Sequence, residues 1–324
     1  MTPTDSIEST DPIDSTETVS RPTAQYDIET FYASLVEHKL IIPTGIKGGY
    51  GRGPVFEDIL RRFNDLVTRI AAPDGAEELM FPPILPRALI EKVGYMDSFP
   101  QLAGSVHSFF GNDVKARELS TRVHDGARWE DLLDITEVML TPAACYPVYP
   151  IFSGLLPNGG RLVTVMNWVY RHEPSDEPTR LQAFRQREFI RVGKPDEVVA
   201  WRDAWLLRGL ALLRGLGLPV QSDVASDPFF GRVGKMMAAN QVDQRLKFEI
   251  LVPVISFEKP TAICSFNWHQ DHFSSKFGIR NADESVAHTA CLGFGLERVT
   301  LALIKAHGFD PRAWPDAVRA QLWP

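Results

Sequence analysis

The stretch RLVTVMNWVYRHEPSDEPTRLQAFRQREFIRV, residues 161–192, decides which fold the chain can adopt. Its first part, 161–171, is rich in β-branched and aromatic side chains, a composition typical of a β-strand. Residues 180–192 plausibly form the strand that pairs with it. The intervening HEPSDEPT is rich in proline and acidic residues, as turns are. The stretch therefore predicts a β-hairpin.

Segments on both sides of this hairpin complete an α+β architecture. Apolar residues at helical spacing predict helices, and short apolar runs with branched side chains predict strands. The predicted helices are 27–40, 54–72, 129–146 and 198–216; the predicted strands are 78–86, 246–256 and 261–267. Residues 290–308 predict a strand, a glycine turn and a helix. We therefore expect a mostly antiparallel sheet flanked by helices.

Proline and glycine modify the interpretation of two of these segments and of one further run. Pro142 fits the first position of a helix whose cap would be Thr141, so the helix predicted there must break or begin at this point. Two prolines interrupt the strand 78–86, which places it at an edge or boundary of a sheet. The run 42–54 contains five glycines but lacks the Gly-Lys-Ser/Thr ending of a phosphate-binding loop, and we interpret it as a flexible loop.

Composition limits the class of protein. The chain has 324 residues, is 44% hydrophobic and carries a formal net charge of −7, which is ordinary for a globular protein and disfavours strong non-specific nucleic-acid binding. It has no apolar stretch of membrane-spanning length and no secretory signal, and its three cysteines are an odd number, so we expect a cytoplasmic protein. Residues 1–24 predict a disordered acidic tail, and residues 25–324 predict a single α+β domain.

The predicted hairpin carries a group of residues suited to a nucleotide. Arg171 and Arg180 flank its turn, and the arginine fork matches phosphate oxygens in two-pronged contacts. Phe184 could stack on a flat ring, and Glu173 could accept a hydrogen bond from an exocyclic amine. The alternative is a hairpin with an exposed ladder of ion pairs, which periodicity alone would favour.

A second group, GFGLER at 293–298, could place Arg298 in the first turns of a helix that faces the same cleft. Glycines allow a tight turn and close approach of a ligand. A lone Gly-x-Gly before a helix is weak evidence, because an ordinary strand-to-helix turn has the same pattern.

The order and spacing of these groups resemble motifs 2 and 3 of class II aminoacyl-tRNA synthetases. The predicted helix 54–72 and the proline-broken strand 78–86 resemble motif 1, which forms dimers in that class. Four segments are most similar to the catalytic domain of seryl-tRNA synthetases: LTPAACYPVYP, VYRHEPSDEPTRLQAFRQREFIRVG, DPFFGR and SFNWHQDHF. The resemblance implies a class II catalytic fold and a homodimer.

The resemblance also implies an ATP site with Mg²⁺. Its residues would be Arg171, Glu173, Arg180, Phe184, Glu249, Asn267 and Arg298. Arg171 would contact the α-phosphate and the amino-acid carboxylate, Arg298 the γ-phosphate, and Phe184 would stack on adenine. Arg171 and Arg298 are therefore the implied catalytic residues. Glu249 is the candidate Mg²⁺ contact. Seryl enzymes carry an acidic Mg²⁺ ligand shortly before the strand ending in Ser-x-Asn, where this sequence has Thr261 and Ala262, with Glu258 further back.

One subgroup of seryl-tRNA synthetases binds its amino acid through zinc held by two cysteines and a glutamate. The resemblance assigns these roles to Cys145, Glu188 and Cys291. Three protein ligands would leave a fourth position open for a substrate amine. Without the resemblance, the two cysteines would be interpreted as buried apolar residues and the glutamate as a surface group. The rival ligands are His269, His272 and His288, and Cys264 is expected in the core.

The short region before motif 1 holds no basic tRNA-binding domain. The chain is in this respect similar to the amino acid:[carrier protein] ligases, in which ATP activates a small amino acid, usually glycine or alanine, for transfer to the phosphopantetheine thiol of an acidic carrier protein. The resemblance thus predicts no tRNA partner and no membrane. The arginines that could attract the carrier are Arg185, Arg187, Arg191, Arg202, Arg208 and Arg214, and the alternative for half of them is an ordinary solvated surface. The alternatives are a minimal seryl-tRNA synthetase and a non-catalytic regulatory paralogue that binds amino acid.

Overall fold

The computed structural model describes residues 28–324, so the predicted tail at 1–24 and the start of the predicted domain lie outside the described residues. The strands are β1 (Ile41–Ile46), β2 (Gly49–Arg52), β3 (Glu77–Leu79), β4 (Ile84–Pro86), β5 (Ser105–Ser108), β6 (Asp134–Leu140), β7 (Gly154–Leu155), β8 (Arg161–Tyr170), β9 (Ala183–Gly193), β10 (Gln221–Val224), β11 (Lys247–Val252), β12 (Thr261–Gln270), β13 (Ile279–Arg280) and β14 (His288–Gly295). The helices are α1 (Ile28–Glu37), α2 (Pro54–Ala71), α3 (Arg87–Val93), α4 (Tyr95–Ser98), α5 (Asp113–His124), α6 (Pro195–Gly215), α7 (Gly231–Asp243), α8 (His272–Phe277), α9 (Leu296–His307) and α10 (Asp316–Leu322).

A seven-stranded sheet in the order β10-β11-β12-β14-β9-β8-β3 forms the centre of the domain. Every neighbouring pair in it is antiparallel except β3 and β8, which run parallel. The predicted α+β architecture, a mostly antiparallel sheet flanked by helices, is therefore confirmed. The hairpin that decided the fold is β8–β9, paired without interruption from Arg161 opposite Val192 to Tyr170 opposite Ala183.

The two faces of this sheet pack against different helices. Successive residues of a strand point to opposite faces, and on β14 Leu292 and Phe294 join a core formed with α2, α6 and α9, while Cys291 joins a second core on the other face. Helix α2 presents a strongly amphipathic surface, and its apolar side is buried against the sheet and the helices α9 and α10. The second face carries α3, α8 and the turns at 143–152, and it contains the cavity described below.

Three segments differ from the predictions. The glycine-rich run 42–54 is an ordered hairpin, β1–β2, rather than a flexible loop. Residues 129–146 do not form a helix: the alternating, β-branched run of β6 pairs with β4 and β5, so strand pairing outweighs the helical spacing, and Pro142 lies in a turn. The predicted strand 78–86 is divided at its prolines, because β3 belongs to the central sheet and β4 to the small one.

Within the described residues 28–324, none of the helices combines the length and the apolar character needed to span a membrane.

Candidate active site

A cavity of about 490 Å³ opens on the second face of the sheet, over β9, β12 and β14. Its walls are the segment 93–102, the turns at 142–146, and α7 with the residues that precede it. This volume lies within the range of small-molecule sites. Arg171, Phe184 and Arg298 line the cavity, as do Cys145, Glu188 and Cys291. The two groups singled out in the sequence thus share one cleft.

The two cysteines and the glutamate form a compact buried cluster. One ligand atom from each of Cys145, Glu188 and Cys291 lies within 4.8 Å of the others. Glu188 stands opposite Gly293 in the β9–β14 ladder, so Glu188 and Cys291 are diagonal neighbours on the same face of the sheet. Cys145 reaches them from the turn after β6. Residues far apart in the chain are therefore brought together by strand pairing and by one turn.

The three side chains of the cluster each offer one ligand atom to a cation. Burial raises the pKa of Glu188 to about 8, and its Oε2 is buried without a hydrogen-bond partner among the described residues. The interaction of the two thiols raises the pKa of Cys145 and lowers that of Cys291, which also faces His269. A Cβ at Gly293 would lie 3.2 Å from Glu188 Cγ, so the glycine leaves the room that this carboxylate occupies. Two sulfurs and one carboxylate are donors that zinc accepts, so the residues present fit a zinc ion.

Two side chains support Cys291 from outside the cluster. Asn267 Nδ2 donates to Cys291 Sγ at 3.5 Å, and His269 Nε2 lies 3.5 Å from the same sulfur. His269 Nδ1 contacts Thr289 Oγ1 at 3.0 Å, which fixes the ring. Outer contacts of this kind orient metal ligands.

Two of the three rival histidines contact groups outside the cluster. His272 Nε2 is 3.3 Å from Val93 O, and His288 Nδ1 accepts from Trp268 Nε1 at 3.2 Å. Cys264 is buried and pairs with Phe294 in the β12–β14 ladder, which turns it toward the opposite core, as expected from the sequence. Of the three rival histidines, only His269 thus lies against the cluster.

At the other end of the cavity, Arg171 and Arg298 are anchored by hydrogen bonds to backbone carbonyls. Arg171 Nε donates to Pro142 O at 3.0 Å, and its guanidinium lies 5.6 Å from the centre of the Phe184 ring. Arg298 donates from Nε to Thr179 O at 2.9 Å and from Nη1 to Ala262 O at 3.0 Å. Burial, followed by the charge of Arg171, lowers the pKa of Arg298. Two cations held so close together attract an anion.

Glu173 and Arg180 lie on the loop between β8 and β9, at the rim rather than in the wall of the cavity. Arg180 is exposed and pairs with Glu177 at 3.4 Å. After burial and the charge of Arg171, which lower the pKa of Arg298, the carboxylate of Glu173 raises this pKa and the charge of Arg180 lowers it.

A buried lysine that the sequence did not single out stands beside the remaining candidates. Lys247 Nζ lies 2.7 Å from Asp227 Oδ1 and 3.0 Å from Glu249 Oε1, and all three residues line the cavity. Glu249, the candidate Mg²⁺ contact, is thus already paired with a cation. Asp227 begins the segment DPFFGR, which resembles seryl-tRNA synthetases, so that segment is the signal in the sequence by which this group could have been found.

The arginines expected to attract a carrier are engaged within the domain. Arg185 pairs with Glu57 at 2.7 Å and with Glu297 at 2.8 Å, and Arg208 pairs with Asp74 at 2.7 Å. The others have comparable contacts: Arg187 with Thr164, Arg191 with Glu197, Arg202 with Asp203 and Arg214 with Val220. Most of these side chains therefore form ion pairs or pack within the domain, whereas Arg214 is exposed, and their role in attracting a carrier stays a prediction.

Sheet, motif order and cleft together define a class II aminoacyl-tRNA synthetase catalytic fold. The seryl-tRNA synthetase of M. kandleri, solved with an A. aeolicus tRNASec, superposes on 93% of the chain with a TM-score of 0.79 at 20% identity; the chain spans 61% of that protein. A prolyl-tRNA synthetase from Cryptosporidium parvum, solved with halofuginone and AMPPNP, superposes with a TM-score of 0.64. The predicted fold class is confirmed.

Sequence relatives narrow the class to a family. Amino acid–[acyl-carrier-protein] ligases 1 and 2 of Bradyrhizobium diazoefficiens are 44% and 43% identical to the chain, over 87% and 86% of its length and 86% and 84% of theirs. The chain belongs to the family of amino acid–[acyl-carrier-protein] ligases, and it is a ligase. A type-2 serine–tRNA ligase of Methanococcus aeolicus is 26% identical over 85% of the chain and 56% of that protein. No family model matches the sequence.

Proposed function

We propose that this ligase activates a small amino acid, glycine or alanine, with ATP as an aminoacyl-adenylate and transfers it to the phosphopantetheine thiol of a carrier protein. The observation that carries the proposal is one cavity that joins a buried Cys145–Glu188–Cys291 cluster to the arginine pair Arg171 and Arg298. The cluster suits the amino end of an amino acid, and the arginines suit phosphates. The names of the two relatives support a carrier protein as acceptor.

Cys145, Glu188 and Cys291 would hold zinc, with His269 and Asn267 orienting the Cys291 sulfur. Bound there, zinc would supply an open position that favours the neutral form of the substrate amine. His269 also limits the space beside the cluster. Since pocket shape discriminates one methyl group by only about 1–3 kcal/mol, the choice between glycine and alanine depends on small clearances at this end.

In the activation step, a carboxylate oxygen of the amino acid attacks the α-phosphorus of ATP, and pyrophosphate leaves. Arg171 would neutralise charge at the α-phosphate and orient the carboxylate, while Arg298 would hold the γ-phosphate. Phe184, now covered by Arg171, would stack on adenine, and Glu173 with Arg180 would contact the nucleotide from the loop. Asn267 would lie near the α-phosphate.

Mg²⁺ would accompany the phosphates of ATP. Glu249 remains the proposed protein contact, although its ion pair with Lys247 means that the carboxylate must share its charge between the lysine and the ion. Two solved relatives of the fold, the seryl-tRNA synthetase of Pyrococcus horikoshii with ATP and the Naegleria fowleri enzyme with AMP, support a nucleotide in this class of cleft.

In the transfer step, the phosphopantetheine sulfur attacks the adenylate carbonyl, a thioester forms and AMP leaves. Helix α7 is the proposed docking surface for the carrier, because Met237, Asn240 and Gln241 line the cavity from it while its outer side is exposed. That outer side combines apolar and basic groups: Val233, Met236, Arg232 and Lys235. A carrier with an acidic surface would meet complementary charge there.

One experiment separates this function from its alternatives. ATP–pyrophosphate exchange is measured across all amino acids, with and without removal of zinc, and for Cys291→Ala. We expect exchange only with a small amino acid, loss of exchange on zinc removal, and labelling of a holo-carrier. Charging of tRNA would instead support a minimal seryl-tRNA synthetase, and amino-acid binding without exchange a regulatory paralogue. Exchange that survives both zinc removal and Cys291→Ala would contradict the zinc role.

We also propose that the chain is a homodimer, on the resemblance of α2 and the segment that follows it to motif 1. Light scattering coupled to gel filtration measures the mass directly. A monomer at micromolar concentration would contradict this proposal without affecting the proposed chemistry.

A further inference from the structure

We propose that the hairpin β1–β2 positions the nucleotide-binding loop between β8 and β9 from outside the cavity, and that Gly48 and Gln182 are the positioning residues. The proposal rests on the proposed ATP-dependent activation for its catalytic consequence. The contact between the two segments is observed independently of that function.

The tip of the hairpin is bonded to the base of the loop. Gln182 donates from its backbone N to Gly48 O at 2.8 Å and from Nε2 to Lys47 O at 2.7 Å. Arg52, at the other end of β2, donates to Ala183 O at 3.0 Å. Backbone and side chain of one loop residue are thus tied to two successive carbonyls of the hairpin tip. A fixed contact of this kind leaves little freedom for the adjacent residues of the loop.

Gln182 connects this contact to both ends of the loop. Its backbone O accepts from Arg171 N at 2.8 Å, and its Oε1 accepts from Tyr170 Oη at 3.2 Å. Gln182 lies two residues after Arg180, and Arg298 donates to the O of the nearby Thr179. Because Gln182 closes the loop that carries Glu173 and Arg180, any displacement of the hairpin tip shifts those two side chains relative to Arg298.

The approach of the two segments requires a glycine. A Cβ at position 48 would stand 2.9 Å from Arg180 O and 3.3 Å from Gln182 N, both backbone atoms that cannot rotate away. Gly48 also has a φ of +70°, in the left-handed region. Gly45 in the same hairpin has a φ of +82°, yet a Cβ there would meet nothing within 4 Å. A substitution at either glycine places a side chain at a positive φ, and of the two only the one at position 48 meets the loop.

Lys47 adds little to this contact. Its ammonium pairs with Asp176 at 2.7 Å, but both side chains are largely exposed, and exposed ion pairs contribute little to stability. The positioning effect therefore depends on the backbone of the tip and on Gln182, which is buried.

The test compares Gly48→Ala with Gly45→Ala in the full chain. In the ATP–pyrophosphate exchange assay we expect the KM for ATP to rise about tenfold in Gly48→Ala, with kcat and the KM for the amino acid changed by less than about twofold. Gly45→Ala should leave the KM for ATP within about twofold of the wild type. Equal KM values for ATP in the two variants would overturn the proposal, because a merely structural hairpin would affect both alike.

Hydrogen exchange of the loop gives a second measurement that needs no catalysis. Peptides covering 172–182 should exchange faster in Gly48→Ala than in the wild type or Gly45→Ala. Gln182→Met removes the side-chain bonds to Lys47 O and Tyr170 Oη and keeps the bulk. If Gly48→Ala does not fold, this variant should show the same rise in the KM for ATP and the same faster hydrogen exchange. If hydrogen exchange of the loop peptides is unchanged in both Gly48→Ala and Gln182→Met, the hairpin does not position the loop. If the wild type shows no ATP–pyrophosphate exchange, the proposed function is wrong. Hydrogen exchange of the loop still decides whether the hairpin positions it.

Discussion

Replacing Gly293 by alanine tests whether Glu188 is a zinc ligand. Gly293 stands opposite Glu188 in the β9–β14 ladder, and an added Cβ would lie 3.2 Å from Glu188 Cγ and 3.6 Å from its Cδ and Oε1. Carbon atoms in optimal contact are about 3.5–4.0 Å apart. The carboxylate must therefore move away from Gly293 by a few tenths of an ångström, while Cys145 and Cys291 keep their places.

The size of the effect follows from the tolerance of a metal site. Zinc–ligand distances hold to about ±0.2 Å, and disturbances of groups that orient ligands cost about 10–100-fold in metal affinity. We therefore expect zinc to bind about 10–100-fold more weakly in Gly293→Ala, which corresponds to about 1.4–2.7 kcal/mol. Overpacking of a dense interior costs about 1–3 kcal/mol of folding free energy, so the variant should still fold.

Zinc affinity is measured by competition with a chromophoric chelator, and folding by circular dichroism during urea unfolding. Gly295→Ala is the matched control, because its Cβ would meet only atoms 3.7 Å or more away. We expect the control to bind zinc within about twofold of the wild type. If Gly293→Ala binds zinc as tightly as the wild type, Glu188 does not hold the ion. If the wild type binds no zinc, the proposed zinc role itself is wrong.

Three further predictions concern stability and carrier recognition. Leu213→Ala removes a fully buried side chain from α6 and should lower the free energy of unfolding, measured in urea, by about 2–5 kcal/mol. Leu207→Ala, on the exposed side of the same helix, should change it by less than about 0.5 kcal/mol. Equal effects of the two substitutions would contradict the burial of Leu213 in the core. Although burial raises it, the ammonium of Lys247 holds the pKa of Asp227 below its usual value, so the stability that this carboxylate contributes is present above about pH 4 and is lost as the pH falls through its folded pKa. The urea midpoint of the wild type should thus fall more steeply below pH 4 than that of Asp227→Asn, and parallel curves would argue against the ion pair. Met236→Glu should slow transfer to the carrier while leaving pyrophosphate exchange unchanged, and Leu207→Glu, equally exposed on α6, should affect neither; impaired exchange in Met236→Glu would show that α7 acts on the cavity rather than on docking.

Most of the framework could be predicted from the sequence, because the relevant signals are local. The hairpin β8–β9 follows from branched and aromatic residues on either side of a proline-rich turn, and α2 and α6 follow from helical spacing of apolar residues. The order of the motifs, rather than any single one, indicated the class. The prediction failed at 129–146, where helical spacing coincided with branched residues and pairing with β4 and β5 decided the outcome.

The sequence by itself determined which chemical groups are present: arginines, an aromatic ring, two cysteines and a glutamate suited to a nucleotide and a metal. Only the tertiary structure decided that the ligand atoms of Cys145, Glu188 and Cys291 lie within 4.8 Å of one another. It also decided that Arg185 and Arg208 form ion pairs within the domain and that Lys247 pairs with Glu249. The physical reason is that local patterns set secondary structure, whereas strand order and register set which distant side chains share a face.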